Sequence, residues 1–294
     1  MPTATVFAPD GALDDDGNRR FLSSLSAAGV DHLFVLGSLG EFPLLDESER
    51  ARLVRVAVDA ARGPTDVWVG VGAPSTRQAI RYARDAASAG ASALVAVPPY
   101  YLHPTAPAIA RYYRSIAAEV DLPLLAYNIP SLVGYALSPA LVHALGAEGT
   151  LRGTKDTSGS LASVRAFLTG RPDGFHVLPG DDALALESMA IGASGAIMGM
   201  GNLVPRLCAA LVRTIRSGSL DSARPLQQLI DRLVDVSRAG PFPATDKYLA
   251  NKLWGAPAGY RSPYDPLTAD EAAEVDRRLA PLRPDLAPYL GARP

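Results

Sequence analysis

The chain is poor in lysine. Of its 28 basic residues only Lys155, Lys247 and Lys252 are lysines, so surface charge is left to arginine. Cysteine is scarcer still. Cys208 stands alone, which excludes an intramolecular disulfide, and its place in the helical run LVPRLCAALV marks it as a small buried residue. The four histidines, His32, His103, His143 and His176, are scattered without metal-ligand spacing, so no metal is expected. No apolar run reaches about 18 residues, so no membrane-spanning helix is expected. The stretch MPTATVFAPDG lacks the basic region and long apolar run of a secretory signal. A net charge of −2 offers little to a polyanion or an anionic membrane surface. The expectation is a cytoplasmic protein with neither a nucleic-acid nor a membrane partner.

What the chain does have is a regular alternation of short apolar runs with longer helical patterns. Its 25 prolines and 26 glycines punctuate these segments rather than forming a linker. Strands are predicted at Thr3–Phe7, His32–Leu36, Val67–Val71, Ala93–Val97, Leu122–Tyr127, Leu151–Lys155, Phe175–Leu178 and Gly195–Met198. Each is followed by a helical stretch. Asp46 with Glu49 three residues on has capping-box spacing, and Gly29 closes the first helix. No two strands form a hairpin, and strands separated by helices pair in parallel. Eight such units predict an α/β fold of the (β/α)8 TIM-barrel type. An open doubly wound sheet would show a glycine-rich phosphate turn after its first strand, and APDGALDD is not one. After Gly218 the pattern changes: Leu220–Val236, Thr245–Leu253 and Thr268–Leu279 read as helices without intervening strands. The expected organisation is a barrel over residues 1–218 and a C-terminal helical appendage over 219–294.

In a barrel the chemistry sits at the C-terminal strand ends. Those ends carry Gly37–Glu41 (GSLGE), Tyr100-Tyr101, Tyr127-Asn128, Lys155, Gly180-Asp181-Asp182 and Ile197–Gly199. One amine nucleophile is present among hydroxyls from Ser38, Tyr101 and Tyr127. Arginine stays charged, whereas a lysine amine in a dry site can shed its proton and attack a carbonyl. A neighbouring tyrosine can then move protons. The small residues of GSLGE allow an anionic group to approach backbone N–H groups. Asp181-Asp182 reads either as a helix N-cap with first-turn charge or as a binder of substrate hydroxyls or a metal.

Four segments in order, GSLGE (Gly37–Glu41), PPYY (Pro98–Tyr101), YNIP (Tyr127–Pro130) and GTKDTSG (Gly153–Gly159), resemble the dihydrodipicolinate synthase / N-acetylneuraminate lyase family of pyruvate-dependent class I aldolases. The resemblance implies that Lys155 forms an imine with the keto carbon of pyruvate and that Tyr127 shuttles protons beside it. It implies no other cofactor. Ser38 would meet the substrate carboxylate or relay a proton, with Leu39, Gly180, Asp182 and Ile197 also against the substrate. Tyr101 would reach into a neighbouring subunit's site, implying a homotetramer built as a dimer of dimers.

Three departures bear on the substrate. Leu39 stands where many members carry a second threonine, which shortens a hydroxyl relay to Tyr101. Leu132 stands where the synthases carry an arginine for the second substrate's carboxylate, and leucine makes no such bond. Ala183 replaces an acidic residue that sialic acid lyases use, while Asp182 is kept. The resemblance therefore implies a lyase joining or splitting a small keto acid and an aldehyde, with a 2-keto-3-deoxy sugar acid or related 2-keto-4-hydroxy acid as substrate. A synthase-like condensation or dehydration through the same imine, and a keto-acid-binding barrel with little catalysis, are the other readings.

Overall fold

The computed structural model describes residues 1–290. The chain forms two compact units, Val67–Ile197 and a second made of Met1–Asp66 with the chain from Met198 onward.

In the second unit, helices α1 (Asp15–Ala27) and α2 (Glu47–Ala60) flank strand β1 (His32–Val35). The predicted capping box is present on α2: the Asp46 carboxylate accepts the Glu49 N–H at 2.9 Å, and the Glu49 carboxylate accepts the Asp46 N–H at 3.1 Å. Gly29 follows α1 with φ 84°.

The unit Val67–Ile197 holds a parallel sheet. β2 (Asp66–Gly70) leads into it, followed by α3 (Thr76–Ser88), β3 (Ala93–Ala96), α4 (Ala106–Ala117), β4 (Leu124–Asn128), the single turn α5 (Pro130–Val133), α6 (Pro139–Ala147), β5 (Gly153–Asp156), α7 (Leu161–Leu168), β6 (His176–Pro179) and α8 (Ala185–Ala190). β2 to β6 are hydrogen-bonded in chain order, each parallel to the next. The apolar run of β3 is continuous and that of β4 nearly so, as in strands covered on both faces. All of β3 and β4 is buried. Helix α4 is pinned to the end of β3 by two buried phenols, Tyr112 donating to the Val97 carbonyl at 3.2 Å and Tyr113 to that of Ala96 at 3.1 Å.

The chain from Met198 supplies α9 (Pro205–Arg216), α10 (Leu220–Ser237), α11 (Ala244–Trp254), α12 (Ala269–Leu279) and α13 (Arg283–Leu286). Three of these stand where helices were predicted beyond Gly218. Trp254 at the end of α11 stacks on Phe21 of α1, ring centroids 5.7 Å apart. Among the described residues no helix is long and apolar enough to cross a membrane.

Six regular strands are present among the described residues, not eight. The expected first and eighth strands need correction. At the first, Thr3 donates to the Phe34 carbonyl at 2.9 Å and Phe34 to that of Met1 at 2.7 Å, but side-chain amides then replace the ladder. Asn202 accepts the Ala4 N–H at 3.0 Å and donates to the Pro2 carbonyl at 2.7 Å. Asn18 does the same for Val6, at 3.0 and 2.8 Å. These amides satisfy the buried backbone without a partner strand. At the eighth position Ser194 and Ile197 donate to β6, at 3.0 Å to Val177 and 2.9 Å to Pro179, and no regular ladder forms among the described residues. The chain then turns into a 3-10 helix at Gly199–Asn202.

Asp246 on α11 is buried, and its carboxylate accepts the Ser237 hydroxyl at 2.5 Å. Burial pushes this carboxyl up to about 6. A carboxyl whose pKa is raised on folding favours the native state fully below its unfolded value, and that contribution is lost as pH rises through the folded value. Asp246→Asn is therefore expected to raise stability above about pH 6 by roughly 2–3 kcal/mol. The gain should vanish below about pH 4. Thermal melts of both proteins across pH 4–8 check the sign, and a pH-independent difference would contradict it.

Candidate active site

The register of β4 against β5 builds the centre of the site. Tyr127 is the Cα partner of Lys155 on the neighbouring parallel strand. Partners in adjacent parallel strands send their side chains to the same face. Both residues are 3% exposed, and the Lys155 amine lies 4.0 Å from the centroid of the Tyr127 ring. A ring face attracts a lysine in its ammonium form, and burial keeps both groups from water.

The next residues on each strand point to the opposite face and clamp the strand ends. Asn128 donates to the Asp156 carboxylate at 2.7 Å, Ser158 donates to its other oxygen at 3.0 Å, and Asn128 accepts the Leu137 N–H at 2.8 Å. Thr157 N–H donates to the Asn128 carbonyl, and Gly180 N–H to that of Asp156, each at 2.8 Å. Asn128 and Asp156 were visible only as letters of YNIP and KDTSG. Their pairing depends on a register that no local pattern encodes.

Gly180 is the close wall of the lysine. A Cβ there would stand 2.6 Å from Lys155 Cε and would strike the Thr157 hydroxyl. Thr157, passed over in the sequence, carries a buried hydroxyl oxygen without a hydrogen-bond partner among the described residues. An unsatisfied buried hydroxyl is costly, and here it stands beside the lysine stem.

The other predicted residues are placed as follows. Ile197 is buried, with its N–H on Pro179. Asp181 caps the turn after β6 by accepting the Ala183 N–H at 3.1 Å, and Asp182 begins that turn. Leu132, on α5, is 59% exposed. Tyr101 is 89% exposed and held at φ 74°, a left-handed conformation uncommon for a tyrosine. Ser38 and Leu39 belong to the second unit. There Leu39 is buried, and the loop they occupy runs between two left-handed non-glycine residues, Leu36 (φ 60°) and Glu41 (φ 51°). Strained backbone of this kind collects at functional sites.

A parallel α/β sheet with a shielded amine beside a phenol at its strand ends has the make-up of an enzyme. The model of the Dihydrodipicolinate synthetase family matches residues 1–281. The chain belongs to that family, whose members are pyruvate-dependent lyases and aldolases, and it is accordingly an enzyme of the lyase class. It is 33% identical to the 4-hydroxy-tetrahydrodipicolinate synthase of Chlorobium luteolum, over 94% of this chain and 93% of that one. Among solved structures it is similar to YagE, a prophage protein of the dihydrodipicolinic acid synthase family from E. coli K12 in complex with pyruvate. That match has a TM-score of 0.91 and 33% identity, covering 96% of this chain and 97% of the other. It is also similar to KD(P)GA from T. tenax, with TM-score 0.88 and 32% identity, covering 97% and 98%.

Proposed function

We propose that the protein is a Schiff-base aldolase that splits, or forms, a 2-keto-3-deoxy sugar acid or related 2-keto-4-hydroxy acid. The observation that carries this reading is the Lys155 amine, buried and 4.0 Å from the ring of Tyr127. The amine attacks the C2 carbonyl and water leaves, giving a protonated imine. Tyr127 relays the proton of the C4 hydroxyl. The electrons of the C3–C4 bond flow into the imine, an aldehyde departs and an enamine remains. The relayed proton returns to C3, and water then releases pyruvate and the free amine. No metal is needed, because the imine is the electron sink. Ser38, Leu39 and Ile197 would hold the carboxylate end. Thr157, Gly180 and Asp182 would face the hydroxylated end. That YagE, a relative of similar fold, was solved in complex with pyruvate supports the choice of pyruvate as the keto-acid product.

The finer architecture belongs to the same reading: eight strand positions closing into a barrel, a C-terminal helical appendage, a cytoplasmic location and a homotetramer. Tyr101, exposed and conformationally strained, is the residue we assign to the neighbouring subunit's site.

Borohydride added with pyruvate should trap an adduct that peptide mapping places on Lys155; intact protein without that adduct would refute the mechanism. Tyr127→Phe keeps the ring under the amine and removes the relay, so trapping should persist while turnover falls by about 10²–10⁴-fold. Steady-state rates beside trapping yields separate the two effects.

The synthase name of the Chlorobium luteolum relative favours a second reading, a dihydrodipicolinate-synthase-like condensation or dehydration through the same pyruvate imine. Leu132 opposes it, being unable to form a charge-assisted bond to a second carboxylate. Analysis of the products formed from pyruvate and an aldehyde, an open-chain hydroxy acid against a cyclised or dehydrated one, decides between them.

A further inference from the structure

Lys247 is one of only three lysines in the chain, and it is buried on α11. Its amine pairs with the carboxylate of Glu41, donates to the Gly259 carbonyl at 2.8 Å and lies 4.7 Å from the centroid of the Phe7 ring. Arg261 sits 4.3 Å from the same ring and forks onto Glu49 at 2.6 and 2.7 Å. Glu41 is the last residue of the Gly37–Glu41 loop, and its N–H donates to the Ser38 carbonyl at 3.0 Å. The preceding carbonyl, that of Gly40, accepts the Thr5 hydroxyl at 2.6 Å. A Cβ on Gly40 would stand 3.0 Å from the Thr3 carbonyl oxygen, so the loop is seated closely on the first residues of the chain.

A buried ion pair is a poor way to stabilise a fold, since apolar residues of similar volume do as well or better. Its strength is fixing geometry: each partner is held where the other is. Burial pushes the Glu41 carboxyl up and the Lys247 amine down, and the attraction of each for the other opposes this. The strain at Leu36 and Glu41 persists only if the surroundings hold the loop in place. Lys247 provides that hold at the Glu41 end of the loop. The Ser38 and Leu39 N–H groups have no acceptor among the described residues, which leaves them available to an anion.

We propose that Lys247 is a positioning residue for the Gly37–Glu41 loop, fixing through Glu41 the backbone on which Ser38 and Leu39 receive the carboxylate of a 2-keto acid. This presupposes that the chain is a keto-acid aldolase. Lys247 touches no substrate; it acts through Glu41 on carboxylate binding and leaves the amine chemistry of Lys155 alone.

The test is the pyruvate dependence of borohydride trapping on the full chain. In the double variant Glu41→Gln/Lys247→Met, which removes both charges, half-saturation should rise about tenfold, the loss expected for one charge-assisted contact. The adduct formed at saturating pyruvate should stay on Lys155 and reach the native yield. Glu41→Asp is the second variant. It keeps both charges, tolerates the left-handed backbone and shortens the arm by one methylene, so it should fold and raise half-saturation about threefold. A native half-saturation in either folded variant overturns the proposal, as does a loss of adduct at saturating pyruvate. No adduct in the native protein overturns the aldolase reading and the positioning role with it, an outcome distinct from both.

Discussion

Lys155→Ala is expected to lose turnover by on the order of 10⁴-fold or more, the cost of removing a covalent nucleophile. It should also give no borohydride adduct with pyruvate. The fold should survive. Lys155 lies on β5, whose backbone is held between β4 and β6 by parallel ladders that do not use its side chain. Truncation leaves a small cavity, which costs stability, but also removes a buried polar head, which returns some. The net change should stay within about 2 kcal/mol. Lys155→Arg is the companion variant: it places a permanently charged guanidinium at the site, which cannot form the imine. Retention of more than a tenth of native activity by either variant, with a native melting curve, would place the nucleophile elsewhere.

How much of this was legible in the sequence differs by element. Helices were readable because their signals are local. The capping box of α2 needs only Asp46 and Glu49, and the end of α1 needs only Gly29. Most of the six regular strands were readable as short apolar runs, β3 and β4 most clearly; β5, which reads GTKD, was readable only through the Leu151 that precedes it and its place in the alternation. The first and eighth positions looked the same in sequence, yet the first lacks a ladder because Asn202 and Asn18, remote or offset in the chain, supply the hydrogen bonds instead, and the eighth gives way to the 3-10 helix at Gly199–Asn202. Lys155 and Tyr127 stood out by residue type. Their pairing as register partners could not be read, because register is settled between strands. The roles of Thr157 and Lys247 escaped because they depend on packing between segments distant in the chain. One matters through a hydroxyl left without a partner beside Gly180, the other through a carboxylate at the far end of the chain. The family motifs name which residues stand near the chemistry. Only the packing says which atoms leave them room.

Gly180→Ala tests that last point most sharply. The added methyl would stand 2.6 Å from Lys155 Cε and would also strike the Thr157 hydroxyl, so something must move. Backbone strain is not the obstacle, because Gly180 is not among the glycines with positive φ. Its N–H can still donate to the Asp156 carbonyl, keeping the strand end in place. The softest neighbour is the lysine stem, whose rotatable bonds yield before two β-strands do. Shifting the amine by about an ångström from its place over Tyr127 should cost roughly 10²-fold in imine formation. The melting curve should fall only slightly. Single-turnover trapping measures the loss, and Gly180→Ala should be slow at every pyruvate concentration, since the defect lies at the nucleophile. That behaviour separates it from Glu41→Gln/Lys247→Met, whose defect saturation removes. A Gly180→Ala enzyme with native trapping rates would mean that the lysine reaches its carbonyl from a different rotamer, and that the amine-over-phenol geometry is not the reactive one.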